Sequence, residues 1–187
     1  RRSSRPVAVR APDGRPGPLR DVVAIAAKSG FSMALRRDGT VVTWGAGGNG
    51  QRGNGRRGAP VVPTTVSAVN GRGPLTGVTA IAAGHQMEFA LLGDGSVVAW
   101  GSNRTGGLGD GGAARERLRP APVLGPGGKG RLTGVARLGV GNRHVIALLK
   151  DGRVMSWGGN ERGQLGDGTR TARNVPGPVM AEDGTGE

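Results

Sequence analysis

An all-β chain of short antiparallel strands is what this sequence predicts, on three observations. One eight-residue phrase is written three times, as DGTVVTWG (38–45), DGSVVAWG (94–101) and DGRVMSWG (151–158). Glycine and proline, at 39 and 12 of 187 residues, are too frequent for long helices. The apolar residues, 35% of the chain, gather in short runs of Val, Ala, Ile and Leu bounded by turn residues, which is how short strands are written.

The phrase belongs to a longer unit. Three such units begin at Leu19, Leu75 and Leu132. A period of this length, rich in glycine and holding several strands, predicts a β-propeller blade rather than a helical solenoid turn. In the second unit the first strand is VTAIAAG (78–84), the second EFALL (88–92) and the third SVVAWG (96–101). Asp94-Gly95 joins the last two, and Asp-Gly between apolar runs signals a hairpin because a tight turn there needs positive φ. Asp38-Gly39 and Asp151-Gly152 repeat it. A fourth strand is expected at each Pro-x-x-Val: Pro63 to Val66, Pro120 to Val123 and Pro176 to Val179. Proline near its start suits the outer edge strand of a blade.

The predicted organisation is therefore three four-stranded blades in one repeat domain: 19–74, 75–131 and 132–187. Residues 1–18 would supply the outer strand of a preceding blade, with RPVAV (5–9), and a linker. Closed propellers have typically four to eight blades. The ring is expected to be completed by further blades of a longer chain, about seven in all, or by self-assembly of copies.

The units resemble the regulator of chromosome condensation repeat family, whose pattern is roughly G-x-x-H-x-x-A-L followed by D-G-x-V-x-x-W-G-x-N-x-x-G-Q-L-G-x-G. The third unit matches at Gly141, His144, Ala147, Leu148, Asp151, Gly152, Trp157, Gly158, Asn160, Gly163, Gln164, Leu165, Gly166 and Gly168. The second departs at Met87 and Gly107, the first at Phe31, Gly47 and Arg52. The resemblance implies a mostly seven-bladed propeller. It leaves function open, because members serve as guanine-nucleotide exchange factors, ultraviolet sensors, ubiquitin-ligase scaffolds and β-lactamase inhibitors. One tryptophan per unit, at a structural place, does not fit ultraviolet sensing through tryptophan clusters.

Trp44, Trp100 and Trp157 are expected to bring a large apolar ring to the same place in successive blades. GAGGNG (45–50) matches a dinucleotide fingerprint but precedes no helix to hold a pyrophosphate, so it reads as a blade turn. Asp110 and Asp167 stand in loops whose spacing is not that of a calcium site, and are expected to bond their own backbone in turns. His85 and His144 occupy different places in their units, so they form no ring of ligands; a loop-bracing role is expected for His144. No catalytic arrangement recurs, and the chain reads as non-enzymatic, without cofactor or metal. There is no cysteine, no apolar run long enough to span a membrane and no visible signal peptide, which leaves the compartment unassigned.

Charge is the feature that architecture does not absorb. The net charge is +13, with lysine only at 28, 129 and 150, so nearly all the bases are arginine. The loops after the first and third strands of a blade emerge on one face. The long loops there carry Arg52, Arg56, Arg57, Arg104, Arg115, Arg117, Arg119 and Arg162, with Arg170 and Arg173, and these are the expected partner-binding residues. Guanidinium forks suit carboxylate and phosphate. The expected role is a protein-interaction scaffold for a partner with an acidic surface. Nucleic-acid binding by the same face, or guanine-nucleotide exchange by resemblance, are the alternatives.

Overall fold

The computed structural model describes residues 5–58 and 62–180; the expectations that touch 1–4, 59–61 and 181–187 lie outside the described residues. Three four-stranded antiparallel sheets form, each in chain order. The first is β1 (Val22–Lys28), β2 (Phe31–Arg36), β3 (Val41–Gly45) and β4 (Thr64–Thr65). The second is β5 (Val78–Ala83), β6 (Met87–Leu92), β7 (Val97–Ser102) and β8 (Glu116–Pro122). The third is β9 (Val135–Val140), β10 (His144–Leu149), β11 (Val154–Gly158) and β12 (Arg173–Pro178). Among the described residues the helical content is two three-residue 3₁₀ turns, and no helix is long and apolar enough to cross a membrane.

The Asp-Gly hairpins close as their chemistry requires. Gly39, Gly95 and Gly152 take positive φ, at 75°, 79° and 90°. The preceding aspartates accept from the amide two residues on: Thr40 to Asp38 at 3.0 Å, Ser96 to Asp94 at 2.8 Å and Arg153 to Asp151 at 3.1 Å. Side-chain bonds from Thr40, Ser96 and Arg153, then these amides, hold the three carboxyls below the usual carboxylate range.

The outer strands correct the expected boundaries. In the second and third blades they begin three or more residues before the proline, because Arg117 pairs with Gly101 and Arg173 with Gly158. The prolines lie inside the strands, where an edge position tolerates a missing N–H. Residues 5–9 are not a strand either. Val9 still accepts from Leu19 N at 2.7 Å, as Val66 does from Leu75 and Val123 from Leu132, each at 2.9 Å. The segment thus has the turn geometry of an outer strand, but no third strand stands beside it among the described residues.

Blades pack through opposite faces of their sheets. One cluster joins Phe31, Met33, Leu35, Val41 and Val66 of the first blade to Ala90, Val98 and Trp100 of the second. Another joins Phe89, Leu91, Val97 and Leu108 of the second to Val145, Ala147 and Trp157 of the third. Trp100 Nε1 donates to Gln51 O at 2.7 Å and Trp157 Nε1 to Gly107 O at 2.9 Å, equivalent carbonyls of the preceding blade. The indoles lie against Gly53 and Gly109, where a Cβ would come within 2.9 Å and 2.8 Å of the ring nitrogen. A second contact repeats: Val78 N donates to Gly39 O at 3.2 Å and Val135 N to Gly95 O at 3.0 Å.

One core position breaks the pattern. Glu88, on the Trp100 face of β6, is fully buried with neither carboxylate oxygen bonded. Ser32 and Val145 hold the same place in the other blades. Burial pushes its pKa well above the usual glutamate value.

Two predictions follow from this packing. Trp100→Phe and Trp157→Phe each leave a buried carbonyl without its donor and are expected to cost about 1–3 kcal/mol. Trp44→Phe, on a half-buried ring, is expected to cost under about 0.5 kcal/mol in dilute chain; urea unfolding compares the three, and equal losses would refute the seating. Because folded Glu88 holds its proton more tightly than unfolded Glu88, its stability contribution is greatest below the ordinary glutamate pKa and falls as pH rises through the raised one. Glu88→Gln should therefore unfold at higher temperature than the parent at pH 8, by about 3 °C per kcal/mol recovered, with the gap closing at pH 4.

Candidate functional site

The loops after the first and third strands of each blade meet on one face. Asn49 Nδ2, in the long loop of the first blade, donates to Gln86 Oε1 in the short loop of the second at 3.1 Å. Thr105 Oγ1 likewise donates to Arg143 O of the third blade at 3.2 Å. These ties border a shallow depression of about 510 Å³, lined by Asn49, His85, Arg104, Asn142 and Arg143 among others. Two more adjoin it, one of about 560 Å³ around Arg143, Glu161 and Arg162 and one of about 660 Å³ between Arg104, Glu161 and Arg173. Their shared residues make them one rim, on which Arg104, Arg143 and Arg162 are exposed. Arg143 Nη1 reaches Glu161 Oε1 at 3.4 Å. The carboxyl of Glu161 is held below the usual range by its own backbone amide, with help from Arg143.

The other expected arginines divide by environment. Arg56 and Arg115 are exposed. Arg57 is paired with Glu116 on β8, and this pairing raises its pKa. Arg117 is paired with Asp110, which is nearly buried. The Arg119 guanidinium lies across Gly55 and Gly71 of the first blade. Arg173 donates to Ser156, Gly177 and Pro178 and pairs with Asp167, while Arg170 is exposed.

Arg52 is corrected outright: it is buried and displays nothing to a partner. It stands where the other blades put the fully buried Leu108 and Leu165. Room for it comes from Gly47, where a Cβ would meet the Arg52 side chain at 2.7 Å. Its Nη1 donates to Gly58 O at 3.2 Å, its Nε is unbonded, and burial followed by the charge of Arg56 lowers its pKa.

Other predicted positions are structural. Asp110 accepts from Gly112 N and Asp167 from Thr169 N, each at 3.0 Å, which are the expected turn bonds. Asn103 and Asn160 brace the same loops by accepting from Leu108 N at 3.1 Å and Leu165 N at 2.9 Å. His144 opens β10 with its ring against Gly141. Among the described residues no three His, Asp or Glu side chains gather as they would around a metal ion.

Comparison with known proteins places this geometry. Models of the regulator of chromosome condensation (RCC1) repeat match residues 22–51 and 135–164, and residues 38–91 and 151–185. The chain belongs to the RCC1 repeat family. It is 36% identical over 165 residues to human E3 ubiquitin-protein ligase HERC2, covering 87% of this chain and 3% of HERC2. It is 32% identical over 167 residues to the Arabidopsis thaliana ultraviolet-B receptor UVR8, covering 89% and 36%. Yeast RCC1 (Prp20), solved bound to Kap60, superposes with a TM-score of 0.72 at 25% identity, over 90% of this chain and 39% of that one. The chain thus spans well under half the length of these relatives.

Within the RCC1 repeat, the motif residues build the blade and the rim arginines fall between them. Arg143 was missed by sequence reasoning because it lies in a short loop, at the place of Gln86 and Gly30, and only long loops were counted. Its one sequence signal was a base beside the motif His144. Since Arg52 belongs to the core of its blade, Arg52→Leu is expected to leave partner binding unchanged and stability within about 1 kcal/mol; weakened binding by a folded Arg52→Leu would return it to the site.

Proposed function

We propose that this RCC1-repeat chain is a non-catalytic protein-interaction platform that takes an acidic protein surface on the rim formed by Arg104, Arg143 and Arg162. The observation that carries this reading is the contiguity of three exposed arginines around shared depressions in which Glu161 is the one acidic lining residue. Open, shallow depressions lined mainly by polar residues suit a macromolecular surface better than an enclosed small molecule. The loop of Arg104 is tied to that of Arg143 through Thr105, so these two arginines would be displayed at a limited range of spacings. Rim charges of this kind govern association rate and salt sensitivity. Yeast RCC1 held by Kap60 is a relative of this fold in a protein complex, which favours a protein partner. Arg56 and Arg115 would extend the basic surface outward, while Arg57 and Arg117 are largely neutralised by Glu116 and Asp110.

The net charge of +13 favours a second reading, a nucleic-acid backbone on the same rim. The scarcity of aromatic residues, 3% of the chain, speaks against base stacking there. Guanine-nucleotide exchange rests on family alone, since no residue of this chain is placed for it.

The deciding experiment is affinity capture from the source organism with this chain as bait, with and without nuclease, followed by titration of the captured partner. Arg104→Glu, Arg143→Glu and Arg162→Glu together are expected to weaken a nuclease-resistant partner by about 100-fold at low salt, with unchanged circular dichroism. A partner indifferent to the triple variant would refute the rim. Capture abolished by nuclease would put phosphate in place of protein carboxylates.

A further inference from the structure

The depression bordered by Arg104 and Arg143 lies over the second blade, whose neighbours on both sides stand in this chain, and Asn49, Arg104 and Arg143 line it from one blade each. No carboxylate lines it. Glu161, which reaches Arg143 Nη1, borders only the two adjoining depressions.

Its walls are rich in donors that the fold does not use. Among the described residues the main-chain N–H groups of His85, Gln86, Arg104, Thr105, Asn142 and Arg143, all of them lining residues, donate to no protein acceptor. The amides next to them are engaged: Ser102 N donates to Gln86 O at 2.7 Å and Gly106 N to Asn103 O at 3.1 Å. Asn49 Nδ2 takes Gln86 Oε1 at 3.1 Å, which leaves the Nε2 end of Gln86 for a ligand. Gln86 also holds a backbone conformation that a side chain makes costly, with φ at +67° where the first blade has Gly30 at 78°. Strained non-glycine residues gather at ligand sites. Successive N–H groups around a left-handed residue form an anion-binding concavity.

Phosphate suits this donor set better than carboxylate. A carboxylate offers about four acceptor sites, which one bidentate arginine and two amides would fill. A phosphomonoester brings three strong acceptor oxygens and about two negative charges, enough for both guanidinia and the amides between them. A nucleic-acid phosphodiester is singly charged, and no Phe, Tyr or Trp lines the depression for a base to stack on. We infer that this depression binds a phosphorylated serine or threonine side chain of a protein partner, with Arg104 and Arg143 on the phosphate and the N–H groups of the three loops around it. The inference rests on the rim being a protein-binding surface, and it names the group that the centre of the rim reads. A volume of about 510 Å³ leaves room for the residues beside the phosphate. Recognition of phosphorylated motifs by clustered arginines is a general mode of peptide binding.

The test is fluorescence anisotropy with labelled degenerate peptides of one length, whose fixed central residue is phosphoserine, glutamate or serine, titrated with the 187-residue chain. The phosphoserine probe is expected to bind at least about 10-fold more tightly than the glutamate probe. Arg104→Gln and Arg143→Gln should each remove most of that difference. Arg37→Gln, the same loss of charge on an exposed hairpin at the other end of the sheet, should leave it in place. Gln86→Gly, which relieves the backbone and removes a donor, should weaken the phosphoserine probe about fivefold with circular dichroism unchanged. A phosphoserine probe that fails to bind, or binds no better than glutamate, would overturn the phosphate and leave the acidic-surface reading standing, since that reading falls only if the captured partner ignores the triple variant of Arg104, Arg143 and Arg162. A labelled oligothymidylate that binds more tightly than the phosphoserine probe, and is lost with the same two substitutions, would give the depression to a nucleic-acid backbone and overturn the inference as well.

Discussion

The structure depends on one repeated contact: an indole from the third strand of a blade seated on a glycine of the preceding blade, with its N–H closed on a loop carbonyl. Trp100 and Trp157 make it through Gln51 and Gly107, with bonds of 2.7 and 2.9 Å. The contact joins the largest apolar side chain available to a buried hydrogen bond, so it supplies area and orientation together. It also explains the sequence around it. A side chain at Gly53 or Gly109 would occupy the indole's place, and both residues hold positive φ, at 62° and 67°. Tryptophan, glycine and the loop between them are thus fixed by each other, which is why the eight-residue phrase recurs so closely while the rest of each unit drifts.

Around that contact the blades tolerate two departures that a uniform repeat would not contain. Gly47 and Arg52 replace the asparagine and leucine of the other long loops, and the pair works because the missing side chain at 47 makes space for the Arg52 Cδ and the Gly58 carbonyl. Glu88 replaces a serine or valine and is carried without a partner. Both leave a buried polar atom unbonded, a cost that a chain with large inter-blade clusters can absorb. Neither is where the exposed basic rim lies, so irregularity in the core and chemistry on the surface are separate matters in this molecule.

Much of the fold was legible because its determinants are local. Asp-Gly turns, alternating apolar runs and the spacing of tryptophans placed nine of the twelve strands closely, and these are signals that a few adjacent residues carry. The outer strands were misjudged at their starts because pairing such as Arg117 with Gly101 belongs to the sheet and not to the residues that enter it. The candidate site was legible only as a class. Long loops rich in arginine were the region the sequence pointed to, but which arginines are free depends on partners far off in sequence, as Arg57 with Glu116 and Arg119 with Gly55 and Gly71. Arg52 could have been withdrawn on sequence alone, since the aligned residues are leucines. Arg143 could not have been ranked, because its place on the rim comes from the tie between Thr105 and its own carbonyl.

The same ties bear on how such a surface could recognise a partner. An arginine side chain loses up to about 2 kcal/mol of rotamer freedom when it is fixed, which consumes much of what an exposed ion pair returns. A scaffold that holds the backbone of each loop removes the loop's share of that loss before binding. Arg143 differs, because its guanidinium lies 3.4 Å from Glu161; on the proposed reading that contact would be exchanged for a partner's carboxylate, making its contribution one of selectivity more than strength. Arg104 and Arg162 carry no such internal partner among the described residues and are placed to contribute attraction directly. On the proposed reading, a rim with two free arginines beside a restrained one would favour a partner whose acids match the spacing of the three over one that is merely acidic, and that geometric demand is what a propeller would add to a basic composition.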